Sequence, residues 1–277
     1  RTYPEFKEWW TEKAGAYEDE LQRIVEFSHI FKTFYTPELN TRLGVFLRRM
    51  LQLDVTTVYP VLLYLLGDRP DLDEEEKKKW LESLESYIIR RQVCNLSAKN
   101  YNNIFRSLLE NLKKKNQPGI DDLNGFLLEN EKDSSRWPDN REFQDGWLSV
   151  RAYGRRGVLT ILEAIDLQMM TSKQERVHIS ERLTIEHVLP RGWSEENYPF
   201  PSTDSTELNE LDRANRNNLI HTYGNLTLLT QPLNSTVSNS PFKDKKPEIA
   251  QQSLLKMNSY FQTHGEKWDE NDIRERG

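Results

Sequence analysis

Glu186 and His187 stand side by side ahead of Val188-Leu189-Pro190, and no other pair in the chain is better equipped to do chemistry. An unperturbed imidazole titrates near about 6.5, so a neutral histidine accepts a proton from water and turns the water into a nucleophile. A carboxylate offers a hard oxygen of the kind Mg²⁺ or Mn²⁺ prefers, and an amide oxygen offers another. The amides at hand are Asn225, within Gly224-Asn225-Leu226-Thr227-Leu228-Leu229, and Asn234, which follows Leu233. A metal on Glu186 and Asn234 would support the oxygen leaving a phosphodiester while His187 activates the attacking water. By itself a Glu-His pair is weak evidence, because a histidine beside a strand more often forms ordinary hydrogen bonds than catalyses anything.

Three elements must position these groups. Leu183-Thr184-Ile185 and Leu226 to Leu229 read as short strands, and Pro232 sits where a short helix begins, ended by Ser240-Pro241. A hairpin of the two strands with the helix packed across it would bring Glu186, His187 and Asn234 together. Consecutive strand residues point to opposite sides, so Glu186 and His187 share one site only where the strand ends or bends, as Pro190 permits. Between Arg191 and Tyr223 the text is polar and loop-like, with a short helix expected over Glu207 to Asn215. His221, just before the Gly224-Asn225 turn, competes as a ligand but reads rather as a structural residue or a phosphate contact. His29, His178 and His264 have no partner pattern. A last substantial helix is expected from Pro247, with Ile249, Leu254, Met257 and Phe261 for packing, and Trp268 to Gly277 reads as an exposed or incomplete tail.

Ahead of this region the periodicity is helical. Tyr17, Leu21, Ile24, Phe27, Phe31 and Phe34 share one face, and apolar segments follow around Leu43 to Leu53 and Val55 to Leu66. Acidic residues from Asp71 to Glu76 open a long helix that closes with Arg90 and Arg91, and Tyr101, Ile104, Phe105, Leu108, Leu109 and Leu112 give the clearest helical signature. Another is marked by Val158, Ile161, Leu162, Ile165 and Met169. The basic runs Lys113-Lys114-Lys115 and Arg155-Arg156 read as solvated helix ends rather than phosphate sites, and Trp9 and Trp10 as packing residues. Polar Thr171 to Ser180 marks the expected boundary between two domains.

Composition bounds the function. In 277 residues, 30% are charged and 36% hydrophobic, which suits a globular protein of two domains. No apolar run approaches the roughly 20 residues of a membrane span, and no secretory signal is visible, so the cytoplasm is the expected compartment. Cys94 is the single cysteine, which excludes an internal disulfide and any multi-cysteine zinc site. A net charge of -6 gives no general pull toward nucleic acid, so a DNA contact requires local basic patches. With Arg1 at its start, the sequence reads as a piece of something longer.

His-Val-Leu-Pro, then Gly-Asn-Leu-Thr-Leu-Leu, then Leu-Asn in a helix resembles the HNH nuclease pattern. More narrowly, residues 185 to 190, 223 to 229 and 233 to 246 resemble the C-terminal nuclease domain of GmrSD-like, modification-dependent (type IV) restriction endonucleases. Segments 86 to 95, 99 to 105 and 137 to 143 are similar to that family's connecting region. The resemblance implies a mainly α protein, with a helical connecting domain over residues 1–175 and an HNH-type ββα-metal nuclease domain, embedded in helices, over 176–277. It implies a DNA endonuclease that acts in bacterial defence against modified phage DNA, with Mg or Mn as cofactor. In it His187 is the general base, Glu186 and Asn234 hold the metal, and Asn225 holds the loop that orients the histidine. Asn239 becomes a loop or supporting amide and Lys246 a phosphate contact. Full-length relatives carry an N-terminal ParB-like, nucleotide-hydrolysing domain, and nothing here resembles its Asp-Gly-Gln-Gln-Arg-like motif. A homo-oligomer is left open, and with one cysteine no structural zinc is expected. The competing reading is a catalytically inactive HNH-like module for DNA binding or assembly.

Overall fold

Glu74, Glu75 and Glu76 open the helix Glu74–Val93 and Arg90 and Arg91 close it, the charge order that opposes the helix dipole. The computed structural model describes residues 2–12, 17–171, 173, 179–201 and 210–277; His178 and the start of the helix expected at Glu207 lie outside them. This long helix contributes to two compact units, one made of residues up to Ile88 with Ala98–Trp137, the other of Ile89–Ser97 with Pro138–Gly277.

Among the described residues the regular elements of the first unit are all helices. Helices Arg42–Leu53 and Tyr101–Lys113 supply Phe46, Leu47, Met50, Phe105 and Leu108 to its core, together with Trp80, Leu84 and Tyr87 of the long helix. The helix expected from Tyr17 forms over Tyr17–Thr33, yet Tyr17, Leu21 and Ile24 on its apolar face are exposed.

In the second unit, strand β1 (Leu183–His187) pairs antiparallel with strand β2 (Leu226–Thr230), Glu186 opposite Thr227 and His187 opposite Leu226. The helix Gln231–Val237 follows β2 without a gap, giving the order strand, strand, helix. A two-stranded hairpin is marginal alone, and here both faces are covered. Leu226 and Leu228 pack with Val93, Ala152, Val158, Ile161 and Leu162. Leu229 packs in the other direction with Val188, Leu233, Phe242, Ile249, Phe261 and Trp268. That double burial is why Leu-Thr-Leu-Leu is apolar on both alternations.

The compact units meet after Trp137, ahead of the domain boundary expected at residue 175, and helix Val158–Met169 buries Ile161 and Leu162 against the β2 leucines, which places it in the unit of the strands. Two expectations need correction. Pro247 does not open a helix; it lies inside Phe242–Gln252, and Leu254 beyond it is exposed. The terminal segment is no tail either. Trp268 is buried, and Glu270–Arg276 forms a helix capped by Asp269 and Asp272. Among the described residues no helix is long and apolar enough to cross a membrane.

Candidate functional site

Asn225 shows how the local sequence sets the geometry. It is fully buried in the turn Tyr223–Asn225 that leads into β2. Its Oδ1 accepts from the Leu189 N–H at 2.8 Å and from Trp268 Nε1 at 3.0 Å, while its Nδ2 donates to Leu189 O at 2.8 Å and Ile220 O at 2.9 Å. The Val188 N–H donates to Asn225 O at 2.9 Å. The chain leaving β1 is thus pinned directly after His187, and His187 is the last residue of its strand. Gly224 is required because a Cβ there would overlap the Ile273 carbonyl of the terminal helix. From that helix Arg276 Nη1 donates to Gly224 O and Leu226 O, both at 2.9 Å.

At the strand end a cleft of about 510 Å³ opens, lined among others by Thr184, Glu186, His187, Arg191, Asn234 and Asn239. His187 is 6% exposed. Its Nε2 faces His221 Nδ1 at 3.2 Å, and the Tyr153 ring stands edge-on to the imidazole with centroids 4.3 Å apart. The segment carrying Tyr153 is strapped to the second histidine, since the N–H groups of Ala152 and Tyr153 donate to His221 O at 2.9 and 3.1 Å. Burial first, then the charges of His221, Arg191, Lys245 and Arg151, push the His187 pKa down to about 3. His221 is lowered too, by burial and by Arg151 and Arg191.

Glu186 meets a partner that the sequence reading did not single out. Lys245, fully buried, donates its Nζ to Glu186 Oε1 and, at 2.9 Å, to His187 O. Burial pushes the Glu186 carboxyl up and the Lys245 ammonium down, and each is drawn back by the charge of the other. Helical phase explains why this lysine was chosen over its neighbour: Phe242, Lys245 and Ile249 share the buried stripe of their helix. Lys246, expected at a phosphate, points elsewhere and pairs with Glu266 at 3.0 Å. Asn234 Nδ2 donates to Thr184 Oγ1 at 2.8 Å and to Ile185 O at 3.4 Å. A carbonyl can only accept, so the amide nitrogen is fixed and Oδ1 is left as the free acceptor. Asn239 lies on the exposed rim of the cleft.

Glu186, His187, Asn234 and Asn239 therefore line one cleft, with His221 and Asn225 directly behind it, while Lys246 is apart. Tyr153, Lys245 and Trp268 complete the surroundings. Residues 137–277 match the family model of the C-terminal domain of GmrSD restriction endonucleases. The chain belongs to that family. No curated protein and no solved structure matches it. The GmrSD match covers both strands, the helix after them and all the cleft residues just named, and it gives this part of the molecule a restriction-endonuclease type of function.

Proposed function

We propose that the second unit is an HNH-type, divalent-metal-dependent DNA endonuclease that serves in defence against modified phage DNA. The observation that carries the reading is the meeting of His187, Glu186 and Asn234 in one cleft at the end of β1, with the strand, strand, helix order around it. His187 takes the proton from a water whose oxygen bonds to phosphorus, and the 3′-oxygen departs and is protonated from solvent. A lone pair on His187 Nδ1 requires the proton on Nε2, and then His221 Nδ1 is its acceptor. His221 in this role fixes the tautomer of the base.

The donor set fits a hard cation. Lys245 occupies Glu186 Oε1, which leaves Oε2, and the orientation of Asn234 leaves Oδ1. Among the described residues no three His, Cys, Asp or Glu side chains gather into a closed metal site, so a cation here would keep water and substrate oxygens, as Mg²⁺ does. When bound, it would supply positive charge beside the departing oxygen.

Incubation of supercoiled plasmid with the chain and Mg²⁺ or Mn²⁺ should yield nicked product, and His187→Ala should slow it by about 100-fold or more. Undiminished nicking by His187→Ala or Asn234→Ala would overturn the mechanism. The Lys245–Glu186 pairing favours a second reading, a DNA-gripping or assembly module without catalysis. Calorimetry separates the two: divalent-ion binding lost in Glu186→Gln and Asn234→Ala supports the nuclease, and no binding in the parent chain supports the module.

A further inference from the structure

Several arginines among the described residues are engaged by carboxylates. Arg42 and Arg49 meet Glu85, Arg69 meets Asp71, and Arg216 meets Glu270. Three arginines differ: Arg182 and Arg191 line the cleft, and Arg151 stands beside it, where its charge acts on both His187 and His221. Arg151, Arg182 and Arg191 are exposed, and none has a side-chain hydrogen bond or ion pair among the described residues. Glu186 is the one carboxylate lining the cleft among those residues, and Lys245 already neutralises it. A chain of net charge -6 thus keeps an uncompensated basic strip along its candidate site.

The three are held in place through their neighbours. Arg182 and Arg191 bracket β1, and a five-residue strand spans roughly 17 Å, so their guanidinium groups suit different phosphates. The Gln231 N–H donates to Arg182 O at 2.9 Å, which ties that residue to the start of the site helix. The Arg191 guanidinium lies 5.4 Å from the centre of the Tyr153 ring. Arg151 immediately precedes the Ala152-Tyr153 strap on His221. Guanidinium groups pair with phosphate oxygens through two N–H donors at once, and each phosphate neutralised releases counterions.

We propose that Arg151, Arg182 and Arg191 form a phosphate track that grips the DNA backbone on both sides of the bond facing His187. The inference rests on the nuclease reading of the cleft and names the residues that hold its substrate.

Fluorescence anisotropy of a labelled DNA duplex, titrated with the full His187→Ala chain over a salt series, tests it. Replacing all three arginines with Gln should weaken binding and make the log–log salt dependence shallower by about 0.9 per arginine lost. Replacing them with Lys should keep most of the slope, and Lys113, Lys114 and Lys115 changed together to Gln should leave it unaltered. An unchanged slope in the arginine-to-Gln variant, or an equal loss in the lysine variant, overturns the track while plasmid nicking by the parent chain still stands for the nuclease. Arginine-dependent binding without nicking would instead remove the nuclease reading and keep the track. No duplex binding at all would remove both.

Discussion

At the scale of single residues, burial works against the charged form of both His187 and Lys245. Between its ordinary value near 6.5 and the depressed value of about 3, the unfolded chain binds a proton on His187 and the folded chain does not. The unfolded state therefore holds more protons in that window, and stability falls as pH drops through it, by up to about 1.4 kcal/mol per pH unit from this group. Urea unfolding in chelator between neutral pH and about pH 4 should show a shallower fall for His187→Gln, and equal slopes would mean that the histidine is not buried neutral. Such a low pKa makes a weak base. A DNA backbone set against Arg151 and Arg191 would offset two of the charges that depress it. Lys245 poses the converse case, because its removal strands a buried carboxylate. Lys245→Met should cost about 3–5 kcal/mol in urea unfolding, and Glu186→Gln added to it should restore part of the loss. Additive costs would show that the two side chains do not depend on each other.

At the scale of elements, the hairpin and the helix after it were legible because each has a local signal: β-branched and leucine alternation for the strands, Pro232 for the helix start. The helix stripe of Tyr101, Ile104, Phe105, Leu108 and Leu112 was equally readable. What escaped was nonlocal. Nothing near Trp268 announces that its indole N–H meets Asn225, 43 positions away in sequence, and the charged text of Glu270–Arg276 resembles a solvated end although its backbone closes over Gly224. Tyr153 and Arg191 likewise acquire meaning only once the strap is seen on His221. Gly224→Ala tests this dependence. Its methyl would overlap Ile273 O, a backbone atom that cannot rotate away, so the terminal helix must shift. Stability should drop by about 1–3 kcal/mol, with faster hydrogen exchange at the Leu189 and Ile273 amides, and unchanged exchange at both would show that the turn tolerates the methyl.

At the scale of the whole chain, the family match and the compact unit do not share a border. The match begins at residue 137, whereas the unit with the cleft also takes in Ile89–Ser97 from upstream. That segment is bonded along its length. Arg90 Nη2 donates to Asn140 Oδ1 at 2.6 Å, Gln92 Nε2 donates to Arg156 O at 2.7 Å, and Arg155 Nη1 donates to Gln92 O at 3.3 Å. Val93 is buried with Ala152, Val158 and the β2 leucines, and Gly146 is the residue type that lets its helix approach the Val93-Cys94 backbone. These contacts hold the 150–156 segment, and that segment holds Tyr153 against His187. A fragment starting at residue 138 keeps every candidate catalytic residue and loses the support behind them. Exposing the valine contact and breaking the hydrogen bonds should destabilise it by on the order of 3 kcal/mol relative to the same unit in the full chain. Hydrogen exchange should report the loss first at Ala152, Tyr153 and the β2 amides, with nicking reduced more than duplex binding, since the proposed phosphate-contacting arginines are exposed and the proposed base, His187, depends on its packing. Equal protection of those amides in fragment and full chain would show that the matched residues fold their site unaided.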